Sequence, residues 1–235
     1  MTSTRLPGKV LKEVAGRPLL DYQIERLRRV HLADDVAIAT TENDTDEPLV
    51  DFCRRRDVPF VRGSEADVLD RYYQAALACA ASIIVRVTSD CPLIDPAVVD
   101  RVIAAFCKAD GSADYASNTL HRTYPRGLDC EVFPFSVLEQ AHDAATEKAE
   151  REHVTPYVYH HPELFRLLNV AGKDDFSRFR WTVDTPEDFE LIRRMLEELY
   201  PANPTFAMED CLRLLQANPE WLAINADIQQ KALNA

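Results

Sequence analysis

Between residues 20 and 107 short apolar, β-branched runs alternate with longer segments of helical spacing, and this alternation limits the chain to few architectures. Leu20, Ile24 and Leu27 fall at i, i+4 and i+7, one face of a helix. VAIAT (36–40) reads as a strand, 47–56 as a helix and VPFV (58–61) as a second strand. Residues 65–81 follow as an amphipathic helix with Val68, Tyr72, Ala75 and Ala76 on one face. SIIVRV (82–87) is an almost continuous apolar strand, as in a strand covered on both faces of a parallel sheet. A third helix spans about 96–108, with Asp95 and Pro96 in the cap and first-turn positions. The rhythm predicts an α/β fold with a mostly parallel sheet, whose ligands bind at the carboxyl ends of the strands.

From 113 to 185 the texture changes to short strands (DYASN, CEVF, RLLNV, RFRWTV) mixed with helices near 135–146 and 148–159. Two more helices, about 186–199 and 208–217, follow, the first opened by Asp184-Thr185-Pro186-Glu187. No internal repeat or low-complexity linker interrupts the 235 residues, which are expected to form a single domain, 1–235.

Composition narrows the function. The 39 acidic and 27 basic side chains leave a formal charge of −12, which argues against nucleic acid as a general partner. No run approaches the roughly 18 apolar residues of a membrane helix, and residues 1–30 carry Arg5, Lys9, Lys12, Glu13 and Arg17 with no signal-type core. A cytoplasmic protein without membrane association is expected. The six cysteines form no CxxC pair and are read as reduced thiols.

Four motifs carry chemistry. TRLPGK (4–9) places two cations, a proline and a glycine in one loop, suited to a polyphosphate but lacking Walker A spacing; an ordinary exposed turn is the alternative. SDCPLIDP (89–96) follows the most apolar strand, so Asp90 is placed to hold a hard cation such as Mg²⁺, whereas Asp95 is explained by helix capping alone. In WTVDTPEDF (181–189) Asp184 either caps the next helix or converges with Asp90 on one metal. In RTYPRGLDCEVF (122–133) and EREHVTPYVYHHP (150–162), Asp129 and Glu131 share a strand face. With Arg122, Arg126, Arg151 and His153 they form either a polar pocket for hydroxyls and a carboxylate or a solvated surface.

In order, TRLPGKVL, FVRGSEADVLDRYYQA, VRVTSDCPLIDP, DYASNT, RTYPRGLDCEVF, EREHVTPYVY and RWTVDTPEDFELI resemble the bacterial SpsF-type cytidylyltransferases. These are spore-coat and surface-polysaccharide relatives of the CMP-Kdo and CMP-sialic acid synthetases, and the resemblance runs from about residue 3 to 200. It implies the Rossmann-like nucleotide-diphospho-sugar transferase fold, and transfer of a cytidylyl group from CTP to a sugar or sugar acid with release of pyrophosphate. By the same resemblance Ser3, Thr4, Arg5 and Lys9 bind the triphosphate, with Arg5, Lys9 and Asp90 catalytic. Asp90 and Asp184 hold Mg²⁺, and Thr40, Arg62, Ser64 and Arg71 shape the base pocket. Asp129, Glu131, Arg151, Glu152 and His153 line the sugar side, within a region at 113–185 that also serves a homodimer. Two departures from the family pattern are expected to matter. The family's usual opening strand and an arginine precede TRLPGK and are absent from this sequence, and Ser89 stands where relatives commonly carry glycine. The alternatives to this reading are a glycosyltransferase of the same fold and a truncated, non-catalytic sugar-nucleotide binding protein.

Overall fold

A computed structural model describes residues 3–230. Behind the first loop, strands β1 (Glu13–Val14) and β2 (Arg17–Pro18) form a small antiparallel hairpin. Then come α1 (Leu19–Leu27), β3 (Ile38–Thr41), α2 (Glu47–Arg55), β4 (Phe60–Gly63), α3 (Val68–Ala78), β5 (Ile83–Arg86) and α4 (Pro96–Lys108), the alternation expected from the sequence. The second half holds β6 (Tyr115–Ser117), β7 (Glu131–Pro134), α5 (Phe135–Ala144), α6 (Lys148–His153), α7 (Pro156–His160), β8 (Leu167–Asn169), α8 (Pro186–Ala202) and α9 (Met208–Ala217).

The α/β, Rossmann-like class holds, with a more mixed pairing than the rhythm alone predicts. β3 and β4 pair in parallel from Ile38↔Phe60 to Thr41↔Gly63. A four-stranded sheet has the order β5-β7-β6-β8, in which β6 and β8 are parallel and β7 runs antiparallel to both its neighbours. Two helices tie the sheets together. Leu20 and Ile24 of α1 pack with Ile38, Leu49, Phe52 and Val58, while Gln23 on the same helix donates to the Thr88 carbonyl at 2.7 Å, just past β5. Leu69 and Ala76 of α3 pack with Ile84, and the Tyr72 hydroxyl donates to the Val87 carbonyl at 3.2 Å.

Two expected elements differ. RFRWTV is not a strand: Arg180 makes a single parallel bridge to Arg126, and the segment's backbone N–H groups then go to different places. Trp181 donates to the Arg126 carbonyl at 2.7 Å and Val183 to the Asp90 carbonyl at 2.9 Å, so no ladder can propagate. The helix expected over 148–159 breaks at Val154, whose φ is 75°, and restarts at Pro156. The left-handed backbone of Val154 makes the break, and Pro156 suits the first turn of the new helix.

The C-terminal helices supply the floor beneath this irregular segment. Trp181 and Val183, both fully buried, pack with Leu191, Ile192, Met195 and Leu196 of α8 and with Cys211 and Leu215 of α9. Leu6 joins the same cluster, which anchors the TRLPGK loop beside residues 181–184. Among the described residues no helix is long and apolar enough to cross a membrane.

Candidate active site

Three loops meet where β5 ends. The first is TRLPGK, fixed by buried Leu6 and turned by Gly8, whose φ of 67° is the left-handed conformation glycine adopts freely. The second is Thr88–Cys91, in which the Thr88 hydroxyl donates to Asp90 Oδ1 at 2.6 Å. The third is 181–184, stitched to the second because Val183 N and Thr182 Oγ1 both donate to the Asp90 carbonyl, at 2.9 and 3.3 Å. That stitch sets Asp184 facing Asp90.

Asp95 caps α4, accepting from Ala97 N at 2.8 Å and Val98 N at 3.4 Å. At α8 the cap is Thr185, in a reciprocal capping box with Asp188, so Asp184 does no capping. Both Asp90 and Asp184 are therefore available, and one cation is drawn to both. Lys9 Nζ lies 2.6 Å from Asp90 Oδ2 and 2.7 Å from Asp184 Oδ1. Arg5 Nη2 reaches Asp184 Oδ2 at 3.0 Å, and Arg180 Nη2 reaches the same oxygen at 2.7 Å. Arg180 Nε donates in turn to the fully buried Asp188 at 2.9 Å.

Burial alone would lower the pKa of Lys9, but Asp90 and Asp184 outweigh it and hold the ammonium above its ordinary value. Burial would raise the pKa of Asp184, and Lys9, Arg180 and Arg5 together pull it below the usual carboxylate range. The cluster sets three basic side chains, Arg5, Lys9 and Arg180, against three carboxylates, Asp90, Asp184 and Asp188. Among the described residues no group of three or more His, Cys, Asp or Glu side chains gathers as a metal cage. The donor set fits Mg²⁺ in another way: two carboxylates already converge on one cation, and Mg²⁺ characteristically combines one or two carboxylates with phosphate oxygens and water.

The loop 122–129 borders the cluster. Arg122 grips Asp129 with both terminal nitrogens, at 2.5 and 2.7 Å. Arg126 is bonded through its backbone to Phe179 and Trp181, yet its half-buried guanidinium makes no hydrogen bond or ion pair among the described residues. Burial, followed by repulsion from Arg122, lowers its pKa. Glu131 lies elsewhere in chemistry: it is buried and accepts from Arg86, the Tyr115 hydroxyl and Thr155 Oγ1, which leaves its oxygens well occupied. Arg151 ties α6 to Asp67 at 2.6 Å and to the His142 carbonyl at 2.7 Å, Glu152 is exposed and His153 half-buried. Asp129 is thus the one of the five expected sugar-side residues beside the cationic loop.

At the carboxyl ends of β3 and β4, Thr40 donates to Asp46 at 2.7 Å and Arg62 holds the Thr41 and Asn43 carbonyls together with Glu47. Ser64 is exposed and accepts from Asp67 N at 3.3 Å. Arg71 is different: it is 9 % exposed, and its Nε has no partner. Ser3 is half-buried and accepts from Leu6 N, while Thr4 is exposed. Arg180 and Asp188 were not expected from the motifs. Their signal was present in the TPED box and in the four-residue spacings Arg180, Asp184, Asp188.

Residues 1–224 match the family described as cytidylyltransferase. The chain belongs to the cytidylyltransferase family. This cytidylyltransferase is 33% identical over 227 residues to the spore coat polysaccharide biosynthesis protein SpsF of Bacillus subtilis, covering 94% of this chain and 92% of that protein. It is 35% identical over 232 residues to an uncharacterised protein of Methanocaldococcus jannaschii, with 98% and 93% covered. Among solved structures it resembles a cytidylyltransferase from Leptospira borgpetersenii, with a TM-score of 0.89, 32% identity and coverage of 99% of this chain and 95% of that one. Membership makes the protein a nucleotidyltransferase enzyme of Rossmann-like fold.

Proposed function

We propose that the protein transfers a cytidylyl group from CTP to a sugar or sugar acid, releasing pyrophosphate, with Mg²⁺ at Asp90 and Asp184. The observation that carries this is the convergence of Arg5 and Lys9, from one loop, on the carboxylates of Asp90, in the loop after β5, and Asp184, in the segment before α8. Such a site matches a triphosphate and a divalent cation, and the reaction needs position and charge neutralisation more than covalent chemistry.

Mg²⁺, when bound, supplies Lewis-acid stabilisation of phosphate oxygens. Arg5 and Lys9 neutralise the leaving pyrophosphate, while Arg180 and Asp188 keep Asp184 aimed. Thr40, Arg62, Ser64 and Arg71 form the base side, with Arg71 bringing a buried guanidinium whose Nε has no hydrogen-bond partner among the described residues. On the acceptor side Arg126, unengaged among the described residues, offers its guanidinium to an anionic group of the sugar, and Asp129 accepts from hydroxyls. The printed role of the SpsF relative supports a product destined for a surface polysaccharide. CTP as substrate and cysteines without disulfides support the reading that the work is done in the cytoplasm.

The test is a pyrophosphate-release assay on the purified protein with CTP, Mg²⁺ and a panel of sugars and sugar acids. Release that requires acceptor and CTP, and falls at least about 100-fold in Asp90→Asn and Asp184→Asn, is the expected result. Release of a nucleoside diphosphate from a sugar nucleotide would show a glycosyltransferase instead. A folded protein that binds CTP in calorimetry neither with nor without Mg²⁺ would remove the reading altogether.

A further inference from the structure

We infer that Lys9 occupies the divalent-metal position of the nucleotide-free enzyme, so that the metal enters only in company with a polyphosphate that draws the ammonium away. The inference rests on the metal and triphosphate roles proposed above for the same site.

Three observations lead to it. Lys9 is the one cation in the cluster that touches both candidate metal carboxylates, at 2.6 and 2.7 Å, which is where a bridging metal would have to sit. The carboxylates are already matched, because Arg5, Lys9 and Arg180 face Asp90, Asp184 and Asp188 and the bordering Arg126 only adds positive charge. A divalent cation added to this partly dry site leaves an excess of positive charge, whereas one arriving with a triphosphate brings its own neutralisation. Finally, the three cations differ in freedom. Arg180 is pinned in a fork between Asp184 and Asp188 with its side chain 9% exposed, whereas Lys9 is a point charge on a flexible four-carbon stem. Lys9 can move a few ångströms onto phosphate oxygens and Arg180 cannot. One residue thereby serves as a counter-ion in the empty enzyme and a phosphate ligand in the loaded one.

The experiment titrates Mn²⁺ into the full chain and reads free Mn²⁺ by electron paramagnetic resonance, without turnover. Wild type, Lys9→Met, Lys9→Gln and Lys9→Arg are compared with no nucleotide, with inorganic tripolyphosphate and with CTP. In the nucleotide-free arm both neutral variants should bind Mn²⁺ at least tenfold more tightly than wild type, Lys9→Arg should remain weak, and Asp90→Asn added to Lys9→Met should erase the gain. Tripolyphosphate should raise Mn²⁺ uptake by wild type. Equal nucleotide-free affinity of wild type and both folded neutral variants overturns the inference, as does a gain that survives Asp90→Asn. Uptake promoted by tripolyphosphate but not by CTP upholds the role of Lys9 and overturns the choice of nucleotide.

Discussion

The carboxylate of Asp188 accepts the backbone N–H of Asp184 at 3.0 Å, so a side chain with no solvent exposure fixes the backbone of a site residue one helical turn ahead of it. The same carboxylate accepts from Thr185 N at 3.2 Å, Arg180 Nε at 2.9 Å and Asn225 Nδ2 at 2.9 Å. Removing it strands the Arg180 guanidinium, and breaking a buried pair from one side typically costs about 3–5 kcal/mol. Asp188→Ala is therefore expected to lose about 3 kcal/mol or more in urea unfolding, and Asp188→Asn less because it keeps shape and some hydrogen bonds. Both should slow pyrophosphate release as Arg180 turns wholly onto Asp184. An Asp188→Ala protein within about 1 kcal/mol of wild type would contradict the linkage.

Arg71 poses the opposite case, a charge whose burial outweighs the attraction of the acidic groups around it. Burial is the main cause of its lowered pKa, and its Nε has no acceptor. Exchange for an apolar side chain of similar length should relieve that desolvation. Arg71→Met is expected to be as stable as wild type or more so, by up to about 1 kcal/mol, while CTP affinity falls by about tenfold. Urea midpoints and calorimetric titration of CTP read the two effects separately. A variant that is both less stable and unaltered in CTP affinity would make Arg71 a structural residue.

Much of this arrangement is legible in the chain because it depends on local signals. Asp95-Pro96 and Thr185-Pro186 mark helix starts whose caps are where the residue types place them, and VAIAT and SIIVRV coincide with β3 and β5 to within a few residues. TRLPGK, Asp90 and Asp184 come together as expected, although the strand expected before Asp184 does not form. What was not legible depends on partners distant in sequence. RFRWTV has strand composition but divides its bonds between Arg126 and Asp90, a choice set by two other loops. Glu131 alternates with Asp129 as a pocket residue would, yet Arg86, Tyr115 and Thr155 from three other segments enclose it. Lys9 as the bridge between the two aspartates could not be read either, since the separations are 81 and 175 residues.

The loop after β3 should register in acid. Burial alone would raise the pKa of Asp46, but the hydrogen bonds its carboxylate accepts, those from Thr40 and Thr41 among them, outweigh it, and the carboxylate sits at about 2 against an ordinary 3.8. A depressed folded-state pKa means that folding favours the charged form. The contribution is complete above about pH 4 and is lost as pH falls through about 2. Wild type should lose stability across that window more steeply than Asp46→Asn, and Asp46→Asn should be the less stable protein at pH 7. Urea midpoints measured from neutral pH down into the window decide the matter; parallel pH profiles for the two proteins would show that Asp46 does not supply the linkage.

Gly127 is where the loop 122–129 meets the segment 181–184. Its φ is +107°, and a Cβ there would lie 2.6 Å from the Trp181 carbonyl carbon and 2.8 Å from Thr182 N. Those are backbone atoms in the segment that is also bonded to Arg126 and, at Val183, to Asp90, so they cannot step aside without dragging Asp184 with them. Gly127→Ala combines a strained backbone with a clash, and a loss of about 2–4 kcal/mol in urea unfolding is expected. The fluorescence of buried Trp181 should report the displacement in the folded variant, and pyrophosphate release should fall even at temperatures where the protein remains folded. If Gly127→Ala retained wild-type turnover with an unchanged Trp181 signal, the close approach of the two loops would have no part in holding Asp184 opposite Asp90.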